Sequence, residues 1–93
     1  MAKQFVLVSY DIPKNKRRLK IMKTIEGFGS RVQYSVFECQ LKPAQLIEMR
    51  KKLYRLATEE DSVRLYYLSS DDVKRIEIFG NGEVTAEDLF YLH

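Results

Sequence analysis

The sequence contains one cysteine, one histidine and no tryptophan among its 93 residues. Cys39 alone excludes an intramolecular disulfide and a cysteine-based zinc site, so a reduced, cytoplasmic protein is expected. On a strand it reads as a small core residue. His93 is the last residue and reads as a frayed terminus, which makes imidazole-based acid–base chemistry an unfavoured reading. With two prolines and four glycines, the chain offers no glycine-rich phosphate loop and no nucleophile elbow. No apolar run approaches the roughly 20 residues of a membrane span, so no membrane partner is expected. Met1–Gln4 leads straight into an apolar strand, and no signal peptide is expected.

Acidic residues are scarce in the first part of the chain. Residues 1–57 hold 13 Lys and Arg against four acids, a balance of +9, whereas residues 58–93 hold three against nine, a balance of −6. This skew points to an anionic partner for the first part. The length fits one domain over 1–93, small enough to gain from oligomerisation.

Gln4–Tyr10 has the β-branched, apolar character of a central strand, and Pro13 ends it. Residues 14–28 read as a helix: Leu19, Ile21, Met22, Ile25 and Phe28 share one side, and Lys16, Lys20 and Lys23 the other. Arg18 falls inside the apolar arc and is expected to lean over the sheet end towards Asp11. Gly27 and Gly29 close this helix. Residues 31–39 read as a second strand, with Val32, Tyr34 and Val36 on one face and Arg31, Gln33, Ser35 and Phe37 on the other. Residues 44–57 read as a second helix after Pro43, with Leu46, Met49, Leu53 and Leu56 inward. Ser62–Leu68 is a clear third strand, and Ser69 caps a short turn that accounts for Asp71-Asp72. Ile76–Phe79 reads as a short fourth strand, and residues 80–93 as a C-terminal strand or tail. The resulting order, β-α-β-α-β-β, lacks the two strands between helices of a ferredoxin-like split. A break within 31–41, for example a bend or hairpin near Cys39-Gln40, would supply them. An α+β sandwich with two helices on one sheet face follows either way.

Asp11 ends the first strand and directly precedes Lys14, Lys16, Arg17, Arg18 and Lys20. It reads either as a turn residue accepting amide protons or as a ligand for Mg²⁺, which needs only one or two protein carboxylates. One carboxylate is few for hydrolysis, but a two-fold dimer brings two together, and metal-activated water could then attack a phosphodiester. The basic residues, with Arg31, suit salt-dependent contacts to nucleic acid. Tyr10 and Phe37 read either as core or as stacking partners for bases.

Tyr10-Asp11-Ile12, Lys16-Arg17-Arg18 and the stretch from Arg31 to Cys39 together resemble the CRISPR-associated protein 2 family. Ser62–Tyr66 and the glycine at position 80 fit as well. The resemblance implies a ferredoxin-like fold with an antiparallel sheet, and a homodimer in which the C-terminal strand joins the partner's sheet. It implies that Asp11 is a catalytic, metal-binding aspartate paired across that dimer. Tyr10, Arg17 or Arg18, Arg31 and Phe37 match positions around this site. It further implies a metal-dependent endonuclease acting on RNA or double-stranded DNA, or a non-catalytic DNA-binding scaffold for the CRISPR integrase. A toxin family with ribonuclease activity shares the fold.

Overall fold

The computed structural model describes residues 3–82. β1 (Gln4–Asp11), α1 (Asn15–Glu26), β2 (Gly29–Gln33), β3 (Val36–Leu41), α2 (Pro43–Leu56), β4 (Ser62–Leu68) and α3 (Ser70–Lys74) follow in order. The four strands form one sheet in the order β2-β3-β1-β4, every neighbour antiparallel. This is the ferredoxin-like βαββαβ arrangement, with α3 added after it.

The apolar pattern of β1 determines how the layers stack. Val6, Val8 and Tyr10 alternate onto one face and pack with Phe37, Cys39 and Leu41 of β3. Ile21 and Ile25 of α1 and Met49 and Leu53 of α2 close this core from above. Each such side chain removed from water contributes about 1.5–3 kcal/mol. Slipping β1 by one residue would turn its whole set outward, which fixes its register.

Phe5, Leu7, Ser9 and Asp11 lie on the opposite face, beside Leu68, Tyr66, Arg64 and Ser62 of β4. Among the described residues this face is covered at one end, where Val73 of α3 and Ile76 pack on Phe5. Ser69 starts α3 by accepting a hydrogen bond from the Asp72 amide, while the Asp72 carboxylate caps Ser69 in return. Asp71-Asp72 is therefore helix-cap chemistry, as the sequence indicates.

Four expectations are corrected. The break expected within 31–41 is present and creates β2 and β3, but it falls at Tyr34-Ser35 rather than near Cys39-Gln40. Cys39 instead continues β3, opposite Val6 on one side and Gly29 on the other. The regular alternation over 31–37 fails because the β2–β3 pairing shifts between Arg31 and Gln33, which brings Val32 and Gln33 onto the same open face. Ile76–Phe79 forms no strand: the Ile76 amide bonds back to the Val73 carbonyl, and its side chain is spent on the Phe5 cluster. Gly29 does not close the helix but begins β2. A Cβ there would meet Cys39 Sγ and stand 2.5 Å from the Glu38 carbonyl oxygen, so no side chain fits this strand crossing. The tail over 80–93, with its exchanged strand, lies outside the described residues beyond position 82.

Candidate functional site

Asp11 is the last residue of β1 and is exposed at the end of the sheet. Two neighbouring segments converge on it. The Tyr10 amide donates to the Ser35 carbonyl at 3.1 Å, clasping β1 to the β2–β3 turn. On the other side Arg18 reaches back from the first turn of α1, and its Nη1 donates to the Ile12 carbonyl at 2.8 Å. Arg18 also donates to the Asn15 side-chain oxygen. The two anchors enclose a cavity of about 440 Å³ lined by Ser9, Asp11, Arg18, Tyr34 and Ser35, among others. Arg18 thus stands at the sheet end with Asp11, as its place in the apolar arc predicts.

Next to this cavity a groove of about 260 Å³ runs between Tyr10, Asn15, Arg18, Arg31 and Tyr34. Arg31 Nε and Nη2 both donate to the Tyr34 carbonyl, at 3.1 and 2.8 Å, and its guanidinium lies 5.3 Å from the Tyr34 ring centroid. Tyr10 itself is 5 % exposed, and burial pushes its phenol up, against the opposing pull of Arg31. Its hydroxyl therefore stays protonated near neutral pH.

The electrostatics favour an anion here. α1 begins at Lys14 with no side-chain cap and no acidic residue in its first turn. Lys16, Arg17 and Arg18 crowd the positive end of the helix dipole, an arrangement that opposes helix stability in isolation and is relieved by a bound anion. Lys14, Lys16 and Lys20 are exposed. Arg17 is placed differently: it donates to both Asp61 carboxylate oxygens, at 2.6 and 2.9 Å, and to Glu60 at 2.6 Å. The Arg17 guanidinium holds the Asp61 carboxyl down to about 2, with help from Thr58. The basic patch thus divides into Arg17, tied to the loop before β4, and Arg18 with Arg31, turned to the Asp11 end.

Tyr10 and Phe37 belong to the core, so of their two readings the structure bears out core packing and not base stacking. Phe37 is fully buried, with its ring centroid 6.3 Å from that of Tyr10. It supports the site through Tyr10 and meets no solvent. Two residues were not picked out by the sequence reading. Tyr34 lines both cavities, yet in the sequence it sits within what reads as an unbroken strand. Asp61 sits in a polar turn, and its pairing with Arg17 spans 44 positions. Cys39 is buried, and burial raises its thiol to about 11, with Glu38 adding to the effect, so it is no nucleophile.

Among the described residues no group of three or more His, Cys, Asp or Glu is placed to hold a metal. The Asp11 cavity offers hard oxygen donors that suit Mg²⁺, but the described residues of one chain supply only one carboxylate to it. The fit becomes adequate when a second chain or a phosphate adds oxygens. A larger surface depression, about 480 Å³, lies on the outer side of α2 between Ile47, Arg50, Tyr54 and Arg55. None of these residues lines the Asp11 cavity. Among the described residues no helix is long and apolar enough to cross a membrane.

Residues 4–76 match the family model for CRISPR associated protein Cas2. A relative from Synechocystis sp., named CRISPR-associated endoribonuclease Cas2 3, is 42% identical over 80 residues, covering 85% of this chain and 87% of the relative. Another from Chloroflexus aurantiacus, CRISPR-associated endoribonuclease Cas2 1, is 44% identical over 92 residues, 95% of this chain and 99% of the relative. Among solved structures, a chain of a partial Cas6-RT-Cas1–Cas2 complex superposes with a TM-score of 0.75 at 32% identity, covering 89% of this chain and 97% of that one.

Proposed function

As the chain belongs to the CRISPR-associated protein Cas2 family, we propose that it acts in CRISPR adaptation as a nucleic-acid-binding homodimer. In this reading two Asp11 carboxylates meet at the dimer axis, hold Mg²⁺ and direct hydrolysis of a phosphodiester. The observation that carries it is the placement of Asp11. It shares the open sheet face with Leu7 and Tyr66, and Val32, Val36 and Ile78 frame a cavity of about 330 Å³ on that same face. A second copy covering this apolar surface would bring the two Asp11 residues towards one another. Phe79, 90 % exposed, adds apolar surface for the same purpose.

Magnesium bound there would neutralise phosphate charge and make a bound water more acidic. The chain's own groups do the rest. Arg18 and Arg31 draw the phosphate to the sheet end, and the hydrogen bond of Tyr10 to Ser35 holds the Asp11 backbone in place. Lys14, Lys16 and Lys20 extend the contact along the nucleic-acid backbone. The names of the relatives support RNA as the strand cut, and double-stranded DNA is the other substrate of this reading.

A second reading is favoured by the likeness to a chain held in a Cas1–Cas2 assembly. Here the dimer is a scaffold that binds DNA and the Cas1 integrase without cleaving. One experiment separates the two. Labelled single-stranded RNA and duplex DNA are incubated with wild type and Asp11→Ala, with Mg²⁺ or with EDTA, and binding is measured at two salt concentrations. Nuclease action predicts cleavage that requires both Mg²⁺ and Asp11. Salt-sensitive binding by both proteins with no Asp11-dependent cleavage overturns it and leaves the scaffold.

A further inference from the structure

Tyr34 is 72 % exposed, although it sits in the two-residue turn beside the Asp11 cavity. Its backbone is fixed, because Arg31 binds its carbonyl twice. Its ring is backed by the Arg31 guanidinium, 5.3 Å from the centroid. Cation–π attraction holds the guanidinium against one face of the ring, and the side chain is otherwise largely open to solvent. The ring borders both the cavity that holds Asp11 and the groove that holds Arg18 and Arg31. Proteins that bind single strands combine aromatic side chains on which bases stack with a positively charged groove and arginine cation–π contacts, and Tyr34, Arg31 and Arg18 line one groove together.

We propose that Tyr34 stacks on one unpaired nucleobase of the bound strand, with Arg31 behind the ring and Arg18 facing the adjoining phosphate. This inference rests on the nucleic-acid reading above and adds the state of the substrate to it. Every base has a π face, so the contact selects no sequence. A base inside a duplex already has both faces covered, so Tyr34 selects a nucleotide outside a duplex, in a single strand or at a frayed end. Tyr10 and Phe37, both buried, offer no such face.

The test uses the full chain and three probes: a single-stranded oligonucleotide carrying one 2-aminopurine, the same strand with abasic positions introduced one at a time, and a duplex whose two ends are closed by non-nucleotide linkers so that no base end is free. Tyr34→Ala is expected to bind the single strand about 5- to 150-fold more weakly, the range for losing one aromatic–base stack. Its affinity for the duplex should be unchanged. Tyr34→Phe should bind both like wild type, and one abasic position should weaken wild type while leaving Tyr34→Ala unaffected. Equal weakening of strand and duplex, or no weakening, overturns the stacking role. Loss of the dimer in Tyr34→Ala, read by sedimentation, also overturns it by making the ring a subunit contact. A wild-type protein that binds neither probe overturns the nucleic-acid reading itself, and this inference with it.

Discussion

Replacing Phe37 with alanine distinguishes a core residue from a residue that touches nucleic acid. The ring is fully buried between the sheet and the helices, so a phenylalanine there hides roughly 150 Å² from water. At 25 cal/mol/Å² this amounts to about 4 kcal/mol, part of which alanine retains. Losing the pairing with Tyr10, at 6.3 Å between centroids, adds about 0.5–1.5 kcal/mol. The expected loss is therefore about 4 kcal/mol, within the usual span for emptying an aromatic site. Total stability for a chain of this length is about 5–14 kcal/mol, so Phe37→Ala should lose a large fraction of it and keep about 1–10 kcal/mol. Its midpoint temperature should fall by roughly 15–30 °C. The chain lacks tryptophan, so urea unfolding is best followed by far-ultraviolet circular dichroism. Protein concentration is held constant, because the apparent stability of the proposed dimer depends on it. Phe37→Leu keeps much of the volume, should lose about 1–2 kcal/mol, and should bind nucleic acid like wild type. A Phe37→Ala protein of wild-type stability that no longer binds nucleic acid would refute this reasoning.

Two further substitutions probe how the strands and helices are joined. Gly29→Ala puts a Cβ against backbone atoms, 2.5 Å from the Glu38 oxygen and 2.9 Å from Cys39 Cα; a loss of about 1–3 kcal/mol in urea unfolding is expected, and wild-type stability would show that β2 does not cross β3 this closely. Asp61, held to about 2 by Arg17, ionises more readily in the fold than its ordinary value of 3.8 allows. Its stabilising contribution is therefore present above about pH 4 and lost as the pH falls towards 2. Asp61→Asn should be less stable than wild type at neutral pH and should lose less stability over that acid range; parallel acid-unfolding curves would exclude the Arg17–Asp61 pair as a pH-sensitive tie.

The division of the basic patch bears on how these experiments are read. Arg17 and Arg18 are neighbours in sequence, but one helix step of about 100° sends them to different places. Arg17 meets Asp61 and Glu60, and Arg18 meets the Ile12 carbonyl at the end of β1. A charge reversal covering both residues therefore mixes loss of a structural ion pair with loss of a site cation. Arg18 alone is the informative position for the site.

The local pattern of residues was sufficient for much of this protein. The apolar run of β1, the stop at Pro13, the two amphipathic helices and the Ser69 cap all express short-range chemistry, and each lies within two residues of where the sequence puts it. Asp11 and Arg18 were legible for the same reason, since strand end and helix phase follow from periods of two and 3.6 residues. Where within 31–41 the chain turns from β2 to β3 was not legible, because Tyr34-Ser35 carries none of the glycine, asparagine or proline that marks a hairpin. The position of this turn is set by pairing: Phe37 and Cys39 must face the helices beside Val8 and Val6, and the chain folds back where that requirement is met. The same turn decides that Tyr34 stands in solvent over Arg31 while Tyr10 and Phe37 go inside. Aromatic residues look alike in a sequence. Which of them is buried depends on the sheet order and on the helices laid across it, and those contacts join residues far apart along the chain.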